Sequence, residues 1–232
     1  MRLGLKILPL LAMLAVQSSF ANVILITSRA SLSVADELLM SAVGPDGTTM
    51  SSGFSADTLH ANTVAFTDSG SNGFSVLEQG NEWSGNFADT DLILWTGNIN
   101  TLNSDAVPVT MTFTSLIGGV GMQIQPDNFG TSFIASIDVF DSTNTNIGSF
   151  TENGNSTSAG DNSAPFIGVQ STSANIKKIT INIVSPTGLD FTFNELSLGS
   201  AALAATPEPS SLTLICCCAG LLPAYLLKRR SK

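Results

Sequence analysis

Through the middle of the chain, apolar and polar positions alternate with a period of two. Val109, Met111 and Phe113 alternate with Thr110, Thr112 and Thr114. Phe133, Ala135, Ile137 and Val139 share the same rhythm, as do Ile179, Ile181 and Ile183, and the pair Phe191/Phe193. A period of two places one face on a core and the other in water, so these segments are strands. Further strands are expected at Val23–Thr27, Thr63–Thr67, Asp91–Trp95, Ile117–Gln125, Asn146–Thr151 and Phe166–Gln170. Gly, Asn, Asp and Pro punctuate the gaps, as in Gly44-Pro45-Asp46-Gly47 and Ser185-Pro186-Thr187-Gly188. Ser33–Val43 is the ambiguous stretch: Ser33 is a helix-cap residue, but Leu38, Met40 and Ala42 alternate, and we read it as strand. Thr131–Thr151 forms the clearest hairpin, closed by the polar loop Asp141-Ser142-Thr143-Asn144-Thr145-Asn146, in which an Asn can take left-handed geometry. So many short strands with frequent turns predict an all-β fold, an antiparallel β-sandwich over residues 22–200.

The two ends break this rhythm. Arg2 and Lys6 precede the apolar run Ile7–Val16, and Ser19-Phe20-Ala21 is a small-x-small cleavage site. Residues 1–21 therefore read as a signal peptide cut after Ala21 by signal peptidase. After a linker at 201–206 comes Pro207-Glu208-Pro209, then an uncharged apolar stretch, then Lys228-Arg229-Arg230-Ser231-Lys232. Residues 210–227 predict a single C-terminal transmembrane helix. The core of that span, Leu212–Leu227, rises about 24 Å as helix, and flanking serines and snorkelling Lys228 extend it toward a bilayer's width. The basic residues 228–232 predict a cytoplasmic tail on the inner membrane.

The order of Pro207-Glu208-Pro209, apolar span and Arg-rich terminus resembles the PEP-CTERM sorting signal of Gram-negative bacteria. The resemblance covers residues 207–232. It implies recognition by exosortase, a transpeptidase-like membrane protease, and association of the exported product with extracellular polysaccharide and biofilm. Trp83-Ser84-Gly85-Asn86-Phe87, Leu94-Trp95-Thr96, Gly119–Pro126 and Phe140-Asp141-Ser142 further resemble a jelly-roll-like domain common in such proteins. The processing and sorting residues are then Ala21, Pro207, Glu208, Pro209, Lys228, Arg229 and Arg230. The expected location is a membrane-anchored precursor, then the cell surface, outer envelope or matrix.

Charge narrows the list of partners. Residues 22–206 hold 17 Asp+Glu against three bases, Arg29, Lys177 and Lys178. A phosphate backbone could not be neutralised by so few cations, which excludes nucleic acid. Cys216, Cys217 and Cys218 all fall in the C-terminal apolar span, so the exported part has neither disulfides nor thiol chemistry. His60 is the single histidine, and no triad or histidine metal cluster can be built on it. No cofactor and no catalytic residue is expected, and the chain reads as a non-catalytic surface or matrix protein.

Two other functions are weighed against that one. A carbohydrate-binding jelly roll needs exposed aromatic rings, for which Trp83, in a polar stretch, is the candidate and Trp95 is read as core. A glycoside hydrolase needs two facing carboxylates, for which Asp89/Asp91, Asp36/Glu37, Glu78/Glu82 and Asp138/Asp141 are the available pairs. Asp138, Asp141, Asn144 and Asn146 also offer oxygens for calcium near one hairpin, without the spacing of an EF-hand.

Overall fold

A computed structural model of the chain describes residues 22–60 and 62–201. The chain runs through β1 (Val23–Ile26), β2 (Val34–Leu38), β3 (Thr49–Met50), β4 (Gly53–Asp57), β5 (Thr63–Asp68) and β6 (Phe74–Glu78). It continues through β7 (Leu92–Trp95), β8 (Gly97–Asn98), β9 (Asn103–Ser104), β10 (Val109–Ile117) and β11 (Gly119–Pro126). The last strands are β12 (Thr131–Phe140), β13 (Asn146–Ser156), β14 (Phe166–Ser171), β15 (Ile176–Ser185), β16 (Phe191–Phe193) and β17 (Leu196–Gly199).

These strands make two antiparallel sheets face to face, with β8 and β9 as a small separate ribbon. The six-stranded sheet has the order β13-β12-β15-β10-β5-β4. Its alternating sequences do what the period of two predicts: Val109, Met111 and Phe113 are fully buried while the threonines between them are not. The nine-stranded sheet has the order β1-β14-β11-β16-β7-β6-β3, with β17 added beside β11 and β2 beside β17. The inner faces share one core, in which Phe66 of the first sheet stacks on Phe193 of the second at 6.3 Å.

The period of two locates β10, β12, β15 and the short β16, whereas β3, β4, β6, β8, β9 and β17 fall outside the expected strands. Ser33–Val43 is strand only over β2; the chain then turns through the 3-10 segment Met40–Ala42. Of the two asparagines in the β12–β13 loop, Asn144 takes the left-handed conformation, with φ of 65°. β6 and β7 have no polar face, because a second, smaller core covers their outer side. There Leu77, Ile93 and Trp95 pack with Trp83, Phe87 and Ala164, which come from the 79–90 and 157–165 loops. A strand buried on both faces reads as a continuous apolar run, as Leu92-Ile93-Leu94 does. Among the described residues, no helix is long and apolar enough to cross a membrane. The expected transmembrane helix at 210–227, like the expected signal peptide at 1–21, lies outside the described residues.

Two irregularities shape the outer face of the larger sheet. β11 pairs along one edge with β17 at Gly119–Gly121 and then with β16 at Ile124–Pro126. Asn194 spans the break, its side-chain oxygen accepting from the Gln123 amide at 3.0 Å where a ladder bond would otherwise fall. The second irregularity is the β1–β2 connection. β1 and β2 lie on opposite sides of β14, β11 and β17, so residues 27–33 must cross the outer face of the sheet.

Candidate functional site: a glycine-floored groove

The crossing is close because the sheet beneath it has few side chains. Gly119 and Gly199 face each other in register, and a Cβ built on either would stand 2.8 or 3.1 Å from Leu32 Cδ1. Leu32 is 5% exposed and seats the strap on this bare backbone. Gln170 pins it, accepting from the Ser33 amide at 3.3 Å and donating to the Gly118 and Ser200 carbonyls at 2.9 and 2.6 Å. Beside the strap lies a groove of about 500 Å³, reached by Arg29, Asp91, Gln123, Phe166, Glu195 and Ser197 among others.

A second glycine pair, Gly121 opposite Gly168, lies beneath the Phe166 ring at the edge of the groove. A Cβ at Gly121 would stand 2.3 Å from Phe166 Cζ, so the Phe166 ring lies where that side chain would be. The ring is only half-buried, and it lines the groove. An aromatic ring packed over paired glycines and lining a groove is a candidate surface for stacking.

Around it the groove is polar. The Arg29 guanidinium bridges the carboxylates of Glu37 and Glu195. Burial pushes the Glu195 carboxyl up from its ordinary value; Arg29 pulls the other way, and Glu37 and Asp91 add to the rise. Burial also raises Asp91, against a hydrogen bond from the Asn194 side chain. The Asn194 amide also donates to Gln123 Oε1 at 2.7 Å, and Gln123 Nε2 donates to Asn162 Oδ1 at 3.0 Å. Ser197, 1% exposed, projects from the same outer face, and its Oγ has no hydrogen-bond partner among the described residues. Two acids, a guanidinium, planar amides and a ring in one concavity can hold a polyhydroxylated ligand by stacking and paired hydrogen bonds.

Of the residues singled out by sequence, Asp91 lines the groove and Glu37 reaches it through Arg29, while the others fall elsewhere. The acidic neighbour of Asp91 there is Glu195, a pair that sequence separation hides. Its proposed partner Asp89 is exposed. Trp83 is 5% exposed, which corrects the expectation of an open ring. The polar stretch around it folds inward: Gln125 Oε1 accepts from the Asn86 amide at 2.6 Å, and Trp83 lies beneath Phe129, edge-on at 5.8 Å. Trp95 is buried as expected, its Nε1 donating to Asp190 at 2.9 Å.

The calcium candidates are engaged within their hairpin. Asp141 Oδ1 accepts from the Thr143 hydroxyl and from the Thr143 and Thr145 amides, and the Thr143 hydroxyl bond foremost lowers its pKa. Asn146 Oδ1 accepts from the Gly148 amide, and Asn144 Oδ1 from Lys178. Asp138 sits mid-strand in β12, paired with Ser149 and Thr180. Among the described residues, no three His, Cys, Asp or Glu side chains converge on a metal site. Asp36 and Glu37 alternate along β2: Asp36 accepts from the Thr58 hydroxyl and the His60 amide, while Glu37 serves Arg29. Ala21, Pro207, Glu208, Pro209, Lys228, Arg229 and Arg230 lie outside the described residues.

The signal for the groove was present in sequence as glycines, not aromatics. Gly119-Val120-Gly121 and Gly168 sit inside strands, where glycine marks close approach of something to the backbone. No family model matches the chain, and no curated protein matches it either.

Proposed function

We propose that this is an exported, non-catalytic protein of the bacterial cell surface or extracellular matrix, delivered through its C-terminal signal. The observation that carries this reading is the fixed order of Pro207-Glu208-Pro209, apolar stretch and basic terminus behind a signal-peptide-like start. Its processing partners are signal peptidase and exosortase, with the inner membrane holding the precursor through residues 210–227. A β-sandwich without cysteine and rich in acids, Ser and Thr suits that setting, since it folds without redox help and repels its own copies. In its finer topology we read the sandwich as jelly-roll-like.

The test is Glu208→Ala in cells that possess an exosortase. Membrane insertion depends on the apolar stretch and the basic tail, which the change leaves alone. The variant is expected to accumulate as a larger, membrane-bound species while the parent is released with Asn22 at its N-terminus. Normal release of the variant would overturn the sorting reading in favour of a plain anchor.

A second reading concerns what the exported domain does once outside. The Phe166 ring over the Gly121–Gly168 pair, ringed by amides and acids, favours carbohydrate binding. Incubation with a neutral trisaccharide, read by calorimetry and by mass spectrometry of the sugar, tests it. Binding with the trisaccharide intact supports the reading. Shortened sugar would instead make Asp91 and Glu195 a hydrolytic pair.

A further inference from the structure

The groove has more negative than positive charge. Arg29, the sole base between Lys6 and Lys177, is shared between Glu37 and Glu195. Among the described residues no base stands beside Asp91, to which the Asn194 side chain and the Ala88 backbone hydrogen-bond. Asp91 and Glu195 both line the groove and are both partly desolvated there, a cost that a second cation between them would relieve. Ser197 adds an independent sign: a buried hydroxyl on the groove wall that has no hydrogen-bond partner among the described residues. A simple metal ion is a poor candidate, since no three acidic side chains converge here among the described residues. The apolar part of the groove, Phe166 with Leu92 and Leu39, calls for a ligand with a ring face as well as a charge.

We propose that the groove binds a saccharide carrying a free amine, its ring face on Phe166 and its ammonium against Asp91 and Glu195. This rests on the carbohydrate-binding reading and adds to it the class of sugar. The Arg29 guanidinium already shows that Glu195 accepts a cation. An amino sugar supplies a second cation on a hydroxylated ring with an apolar face, and the exposed Asn162 side chain on the groove wall faces its remaining oxygens. A fully acetylated sugar keeps the ring and loses the charge.

The test titrates the full chain in detergent micelles with three probes: a glucosamine trimer, its N-acetylated counterpart and trilysine. The glucosamine trimer is expected to bind about tenfold or more tightly than the acetylated one, the difference a charge-assisted hydrogen bond makes. Asp91→Asn preserves shape and leaves the backbone bonds to Ala88 and Gln79 intact, and should abolish that ratio. Asp138→Asn, on the opposite sheet, should leave it unchanged. Collapse of the ratio in both variants, or in neither, overturns the proposal, because diffuse attraction to an acidic surface would then account for binding. Equal binding of trilysine overturns it as well, pointing to a basic peptide. If acetylated and free trimers bind alike, the amine inference fails and the carbohydrate reading stands. If neither binds, both fail.

Discussion

Replacing Gly121 by alanine asks whether the groove's ring is held by the backbone beneath it. The backbone at Gly121 is not in a left-handed conformation, so alanine meets no conformational objection there. With no steric conflict, the change would stabilise by about 0.4–1 kcal/mol, because alanine restricts the unfolded chain. The conflict is large, however. The new Cβ would stand 2.3 Å from Phe166 Cζ and 2.5 Å from Cε1, well inside contact distance. Either the Phe166 ring swings out or β11 and β14 separate, and overpacking of this kind costs about 1–3 kcal/mol. The balance is a net loss of up to about 2.6 kcal/mol, or up to roughly 10 °C in melting temperature for a domain of this size.

The assay is thermal unfolding followed by circular dichroism, with two comparisons. Gly53→Ala is the control, since its Cβ would meet nothing closer than 3.9 Å, and it should be neutral or slightly stabilising. The double variant Gly121→Ala/Phe166→Ala removes the ring along with the obstacle, so its cost should be less than the sum of the single changes. A coupling of at least about 0.5 kcal/mol is expected for residues in such contact. If Gly121→Ala melts with the Gly53→Ala control, or if the two single costs simply add, the ring is not seated on Gly121 and the groove has no fixed platform.

Asn86→Ala should destabilise by about 2–4 kcal/mol, or roughly 5–15 °C, since it orphans a buried amide and breaks several hydrogen bonds. Asn86 is 2% exposed, accepts from the Thr157 amide at 2.6 Å and donates to the Thr157 and Ser163 hydroxyls at 2.8 and 2.7 Å. A melting temperature within a degree or two of the parent's, about the effect of a surface change, would refute that role. Stability should also rise slightly as pH falls from neutral to the upper edge of the ordinary carboxylate range, at about 4–5. Asp68, Asp91, Asp127 and Glu195 all have raised pKa values, chiefly from burial, so the folded state takes up protons first and is favoured as pH drops through them. Below that range the gain reverses, because Asp36, Asp141 and Asp161 have lowered values and their contribution is lost on protonation. A melting temperature that declines steadily from pH 7 to about 5 would contradict this.

How much of the fold was legible in the sequence depends on where each strand's second face went. β10, β12 and β15 have one face in water, and their alternation revealed both their existence and their buried residues. β6 and β17 left no such trace, since Phe74–Glu78 and Leu196–Gly199 are covered almost throughout on both sides. Trp83 misled for a related reason. Its neighbours Asn81, Ser84 and Asn86 look like surface, but Asn86 is polar because it ties two loops together over the outer core. Polar composition reports that hydrogen-bonding groups are satisfied, and satisfaction by water or by protein looks the same in sequence.

The groove was hidden for a different reason. A search for sugar-binding aromatics weighs Trp and Tyr, and Phe166 is one phenylalanine among 13. What distinguishes it is the absence of side chains beneath it, at Gly121 and Gly168, which are 47 positions apart and become neighbours only through the β11–β14 pairing. The acids follow the same logic. Asp91 ends the turn before β7, Glu37 lies in β2 and Glu195 follows the Asn194 break, so register across β2, β17, β11, β16 and β7 is what assembles them. A strand sequence specifies which face a residue occupies, but only the pairing specifies its neighbour across the sheet. The site therefore lives in the topology. Its one sequence-level trace is glycine placed mid-strand, which weakens a strand unless something has to come close.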